Sequence, residues 1–187
     1  MHRALTVRVA SLLAVGLAVL ASIPPAAAQS LRVTSLARED QVLVSFELPA
    51  AFDDALRASI QSGLPTSITY DVELRKATTL WVDRLIATAR VTAGVRFDNL
   101  TKRYQVSVMR DGRVEESRVT EDEEDVRLAL TVFQRLPLFD TAMLEPNAEY
   151  YLRVRAQTRP RNSLFVLPWE RGGIFGSTKF TFLPRPR

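Results

Sequence analysis

The chain has 187 residues, with 25 Lys and Arg against 21 Asp and Glu, a single histidine at position 2 and no cysteine. Disulfides are excluded, as are Cys-based nucleophiles and zinc sites of the usual Cys and His type. The basic excess is small, due in part to Arg3 and Arg8, and arginine dominates over lysine, so no nucleic-acid partner is expected.

His2, Arg3 and Arg8 form a short basic start. An uncharged apolar run from Val9 to Ile23 follows, then Pro24, Pro25 and the alanines 26–28. This order predicts a secretory signal peptide over residues 1–28, cleaved before Gln29. The apolar run falls short of the ~20 residues that a membrane-spanning helix needs, and the prolines follow it at once. The arginines are not adjacent, so no twin-arginine signal is read, and no cysteine is present for lipid attachment. Cleavage removes His2 and with it every Ser/His catalytic pairing. The remaining ~160 residues are enough for one domain burying about 70% of its unfolded surface, so a single β-rich domain over 29–187 is expected.

In "QVLVSFEL" the residues Val42, Val44, Phe46 and Leu48 alternate with Leu43, Ser45 and Glu47, the period of a half-buried strand that stops at Pro49. The period then changes. Phe52, Leu56 and Ile60 recur every fourth residue, Asp53 and Asp54 sit where a helix dipole favours acids, and Gly63 and Pro65 supply a stop, so one short amphipathic helix is predicted. "TSITYDVELRK" returns to period two, with Ile68, Tyr70, Val72 and Leu74 on one side and Thr69, Asp71, Glu73 and Arg75 on the other.

The long run "LWVDRLIATARVTAGVRF" places Trp81, Leu85, Ala87, Ala89, Val91, Val95 and Phe97 in one parity and Arg84, Arg90 and Arg96 in the other. Trp81 is expected in the core, and Gly94 is the expected bulge or bend. After a turn at "DNLTK", Tyr104, Val106 and Val108 alternate into a hairpin marked by Asp111-Gly112. Thr120 to Glu123 has the form of a capping box, and the acids of "EDEED" suit a helix start better than a calcium loop, because the alternating ligand spacing and the turn glycine are missing. The predicted helix carries Val126, Ala129, Leu130, Phe133 and Leu136 on one face and closes at Pro137.

"AEYYLRVRAQT" sets Tyr150, Leu152, Val154 and Ala156 against Tyr151, Arg153, Arg155 and Gln157, and "GIFGSTKFTFL" reads as a last strand. Between them, in the 160–176 loop, lie Leu164, Phe165, Val166, Leu167 and Trp169, an apolar content that folds over an open end of the core or grips a ligand. Trp169, between Pro168 and Glu170, is expected to be partly exposed.

The succession "GLPTSITYDVELRK", "LWVDR", "VRFDNLTKRYQV", a capped helix and "YYLRVRAQTRPRNSLFVLPW" resembles the secreted proteobacterial family known as domain of unknown function 4390. The resemblance implies an exported protein, delivered by its leader to the periplasm, with Asn99-Leu100-Thr101 a turn rather than a glycosylation acceptor. It also implies an accessory role beside a membrane sensor kinase. It carries over no catalytic or binding residue.

The expected fold is mainly β, an antiparallel β-sandwich or partly closed barrel of about seven strands with two short helices, the alternative being an α+β layer fold. Three functions are weighed. The first is a non-enzymatic periplasmic binding module for a membrane-associated protein such as a sensor kinase. The second is a carrier or sensor of an anionic or amphipathic ligand. The third is a hydrolase using two of Asp71, Glu73 and Asp83. The residue types point to no catalytic, cofactor or metal site. The candidate interaction surface comprises Arg84, Arg90, Arg153, Arg155, Leu164, Phe165 and Trp169, with an anionic lipid surface as an alternative partner for the arginines.

Overall fold

The computed structural model describes residues 31–78, 83–160 and 173–184. In chain order it contains β1 (Arg32–Arg38), β2 (Gln41–Glu47), α1 (Asp54–Gln61), β3 (Thr66–Lys76), β4 (Arg84–Asp98), β5 (Arg103–Arg110) and β6 (Arg113–Thr120). α2 (Glu123–Thr131), β7 (Val132–Asp140), β8 (Glu149–Pro160) and β9 (Ile174–Thr181) follow. The strands form a six-stranded antiparallel sheet in the order β6-β5-β4-β3-β8-β9 and a three-stranded one in the order β1-β2-β7. The expected sandwich forms, its sheets open rather than closed into a barrel, with nine strands among the described residues instead of about seven. No helix of the described residues is long and apolar enough to cross a membrane.

The alternation read in the sequence sets the core. Val42, Val44 and Phe46 from the small sheet, with Leu48 just after β2, share the core with Ile68, Tyr70, Val72 and Leu74 of β3, a central strand of the large sheet, and Leu152 and Val154 of β8. Burying each such side chain stabilises the fold by roughly 1.5–3 kcal/mol. Phe46, Tyr70 and Phe133 join the layers, with Phe46 centred 4.8 Å from both of the other rings. The small sheet covers only part of the large one. α1 packs on β3 and β4, and α2 on β4 and β5, so the helices extend the second layer.

Asp53 caps α1 by accepting the Leu56 N–H at 2.8 Å, and Gly63 at φ +81° turns the chain out of it. In α2 the capping box expected at Thr120 does not form. The cap is Asp122, which accepts the Glu124 N–H at 2.9 Å, while Thr120 Oγ1 accepts the Asp122 N–H. The helix predicted to run to Leu136 ends at Thr131, and the next nine residues are β7. The helical spacing of Phe133 and Leu136 arises instead from a bulged strand: Arg135 takes φ +53°, and its N–H donates to Ser45 Oγ at 2.9 Å. Pro137 fits because, among the described residues, β7 is an edge strand, where a missing donor is tolerated.

Register shifts govern which side chains share a face. Gly94 is not one of them, since it pairs in register with Ser67 and Ser107. The break in β4 comes earlier. Leu74 faces Ala87 and Arg75 faces Leu85, which leaves Ile86 as the extra residue of a bulge. Arg84 therefore aligns with Lys76 on the core side of the sheet, whereas Leu85 turns outward beside Arg75 and is 47% exposed. The expected common face of Arg84, Arg90 and Arg96 is corrected accordingly, because one inserted residue flips a period-two pattern.

Candidate interaction face of the large sheet

The outer face of the large sheet is built by the residues of β3, β4, β8 and β9 whose parity opposes the core. Register places Asp71 between Arg90 on β4 and Arg155 on β8, and Arg155 beside Phe175 on β9. One step along, Glu73 lies between Thr88 and Arg153, and Arg153 faces Ser177. These rows line a hollow of about 880 Å³ that also reaches Thr92, Met109 and Asp111. A second hollow of about 450 Å³ adjoins it around Asp83, Tyr151, Arg153, Phe175 and Lys179.

The charges are mostly matched within the face. Arg90 Nε donates to Asp71 Oδ1 at 2.7 Å, and this bond raises the arginine pKa; Gln157 donates to the other oxygen of Asp71 at 3.2 Å. The Arg90 backbone N–H donates to Asp111 Oδ1 at 2.8 Å. Glu73 accepts from Arg75 at 2.8 Å. Asp83 accepts the Tyr151 hydroxyl at 2.6 Å, which holds its carboxyl below the ordinary aspartate range and raises the phenol. Exposed pairs of this kind contribute about 0–1 kcal/mol each and chiefly set which charges stay compensated.

Arg153 differs. Its guanidinium carbon lies 4.8 Å from the centre of the Phe175 ring, over which Arg155 also sits at 5.4 Å. Arg153 is exposed, and among the described residues no carboxylate forms an ion pair with it. Phe175 is 46% exposed. A guanidinium over an aromatic face keeps its capacity to donate in the plane to a carboxylate or phosphate. Arg155 is more enclosed: a side chain at Gly173 would meet its Nε at 2.7 Å, so glycine lets the start of β9 lie against it.

Of the arginines predicted as a surface, the structure brings Arg90, Arg153 and Arg155 into one hollow and sends Arg84 to the other side, next to Lys76 and Glu145. Leu164, Phe165 and Trp169 lie outside the described residues, as does Trp81. Phe175 was missed as a site residue. Its signal was an aromatic in the polar parity of "IFGSTKF", shared with Ser177 and Lys179.

The family model described as a domain of unknown function (DUF4390) matches residues 25–162, about three quarters of the chain, and so includes Arg90, Arg153 and Arg155 but stops before β9 and Phe175. No curated protein and no solved structure matches the chain. A family match of this extent, over the strands and helices that build both layers, shows that the chain belongs to the DUF4390 family.

Proposed function

We propose that the protein is a non-enzymatic binding module of the periplasm that docks an acidic segment of a membrane-associated protein on the outer face of its large sheet. The partner class suggested by the family resemblance is a membrane sensor kinase. The observation that carries this reading is Arg153, held over Phe175 in an open hollow and, among the described residues, in no ion pair with a carboxylate. Arg155 lies over the same ring, and Lys179, paired with Glu149 at 3.5 Å, lines the adjoining hollow.

The carrier reading is less favoured because the hollows open outward onto charged rows, while the layer interface is filled by side chains such as Val72, Leu152 and Val154 that are fully buried. The hydrolase reading is also less favoured. Asp71 and Glu73 are held by arginines, and the Asp83 carboxyl is shifted downward, opposite to what a general acid requires.

The test is a crosslinking pull-down of the tagged mature protein from intact cell envelopes. Recovery of one membrane protein, weakened by salt and lost with Arg153→Ser or Phe175→Ser, supports the reading. Equal recovery by these variants overturns the assigned face. Salt-dependent binding to protein-free anionic vesicles that is lost with the same variants assigns the face to lipid instead.

A further inference from the structure

Among the described residues β6 is the outermost strand of the large sheet and pairs only with β5, and it is exposed along Arg113–Val119 on both faces. Its sequence is "RVEESRVT". Val114 and Val119 are five residues apart, and in a regular strand they would point to opposite faces. The β5 register shows otherwise. Gln105 faces Val119, Ser107 faces Ser117, Val108 faces Glu116 and Met109 faces Val114, so Glu115 is the extra residue of a bulge. The bulge places both valines on the Met109 side of the sheet, where they are 63% and 61% exposed.

From this edge we infer that β6 docks the β6 of a second copy of this chain, antiparallel, giving one continuous sheet with six strands from each copy. Identical edges that pair antiparallel are related by a two-fold axis normal to the sheet, so each face of one copy continues as the same face of the other. With Ser117 on that axis, Ser117 opposes Ser117, Arg118 opposes Glu116, and beyond the bulge Val119 opposes Val114. Every exposed apolar side chain of β6 then meets another, and opposite charges meet across the seam. Glu116 and Arg118, which pair at 3.2 Å within one chain, become an alternating square of four charges. Shifting the pairing by one step toward either end sets Glu116 against Glu116 or Arg118 against Arg118 on the axis, and like charges directly opposite are unfavourable. The Ser117 register is therefore selected by charge as well as by apolar contact. The pairing also satisfies the outer backbone groups of β6, which no other strand of the described residues meets.

Sedimentation equilibrium of the mature protein, from low-micromolar to submillimolar concentration, should show a monomer passing to twice its mass. Glu116→Arg and Arg118→Glu should each return it to monomer, and the charge-swapped double variant should recover the dimer, because the swap restores opposite charges across the axis. All these positions are exposed, and circular dichroism verifies that each variant is folded. Because the chain has no cysteine, Ser117→Cys introduces the only thiol. It should crosslink under mild oxidation about tenfold faster than Thr101→Cys in the β4–β5 turn, since pairing raises the effective thiol concentration. A wild type that stays monomeric throughout leaves the edge to a strand of another protein and overturns the assignment. A dimer in which Ser117→Cys crosslinks no faster than Thr101→Cys, or in which the double variant stays monomeric, overturns it equally.

Discussion

The Tyr70 hydroxyl, buried at the centre of the large sheet, donates a 2.8 Å hydrogen bond to the carbonyl of Leu130 in the last turn of α2. Sheet and helix are thereby tied at the point where the chain passes from α2 into β7. Burial raises the phenol pKa well above its ordinary value. The folded chain therefore holds this proton at pH values where the unfolded chain releases it. The resulting stability is fully present below about pH 10, the unfolded value, and declines as pH rises beyond it toward the folded value. Tyr70→Phe should weaken that alkaline decline and cost about 1–3 kcal/mol at neutral pH, because the Leu130 carbonyl loses its partner in the core. Urea unfolding of both proteins from neutral to alkaline pH measures both effects; an unchanged alkaline decline would show that Tyr70 does not cause it.

Gly176 lies where β1 crosses the core side of β9. A Cβ there would collide with the Leu31 carbonyl oxygen and lie 2.8 Å from Val33 Cγ2. Gly176→Ala should push β1 off β9 and destabilise the domain by about 1–3 kcal/mol, the range for overpacking. Gly112→Ala has open space around it but sits at φ +83°, so its penalty is conformational and local. Thermal melts of the two variants, with hydrogen exchange in β1, separate the mechanisms: β1 protection should fall only with Gly176→Ala.

Asp83 and Tyr151 form an acid-sensitive contact at the rim of the second hollow. The depressed Asp83 pKa means that its stabilising contribution is present above the unfolded carboxyl value and is lost as pH falls through the lower folded value. Tyr151→Phe removes the hydrogen bond that contributes most to this depression and should move the Asp83 titration up toward the ordinary aspartate range. An NMR pH titration of the side-chain carboxyl carbon reads this directly; no upward movement would assign the depression to Arg75, Lys179 and the Thr78 N–H.

The two faces of β4 should separate in function. Because the bulge at Ile86 sends Arg84 to the core side, Arg84→Ser should leave envelope capture unchanged, while Arg153→Ser reduces it about tenfold or more, the loss expected for a charge-assisted hydrogen bond of ~1.5–3 kcal/mol. Arg90→Ser should fall between them, since Asp71 already occupies the Arg90 guanidinium at 2.7 Å. Quantitative pull-down of the three variants checks the order, and equal losses from Arg84→Ser and Arg153→Ser would break the division of faces.

The period-two runs of β2, β3 and β8 were legible in the sequence because their core parity is uninterrupted, with Val42 to Leu48, Ile68 to Leu74 and Tyr150 to Ala156 all buried as read. The tight turn at Asp111-Gly112 was equally local, with both residues at positive φ. β1 was not legible because its inward residues include Ser35 and Ala37, which carry little apolar signal and reach shelter only against the neighbouring strands. β7 was misread because Phe133 and Leu136 keep a helical spacing that a bulged strand also produces. Pairing with β2, a partner about 90 residues away in sequence, decided between the two. The arginine face was half legible for the same reason. Alternation determines side-chain direction only between bulges, and the bulge at Ile86 is defined by how β4 registers on β3. Composition and local period thus determined a mainly β chain without Cys chemistry and with most of its core. Register, which depends on long-range pairing and one-residue slips, decided that Arg90, Arg153 and Arg155 share a hollow with Phe175 while Arg84 does not.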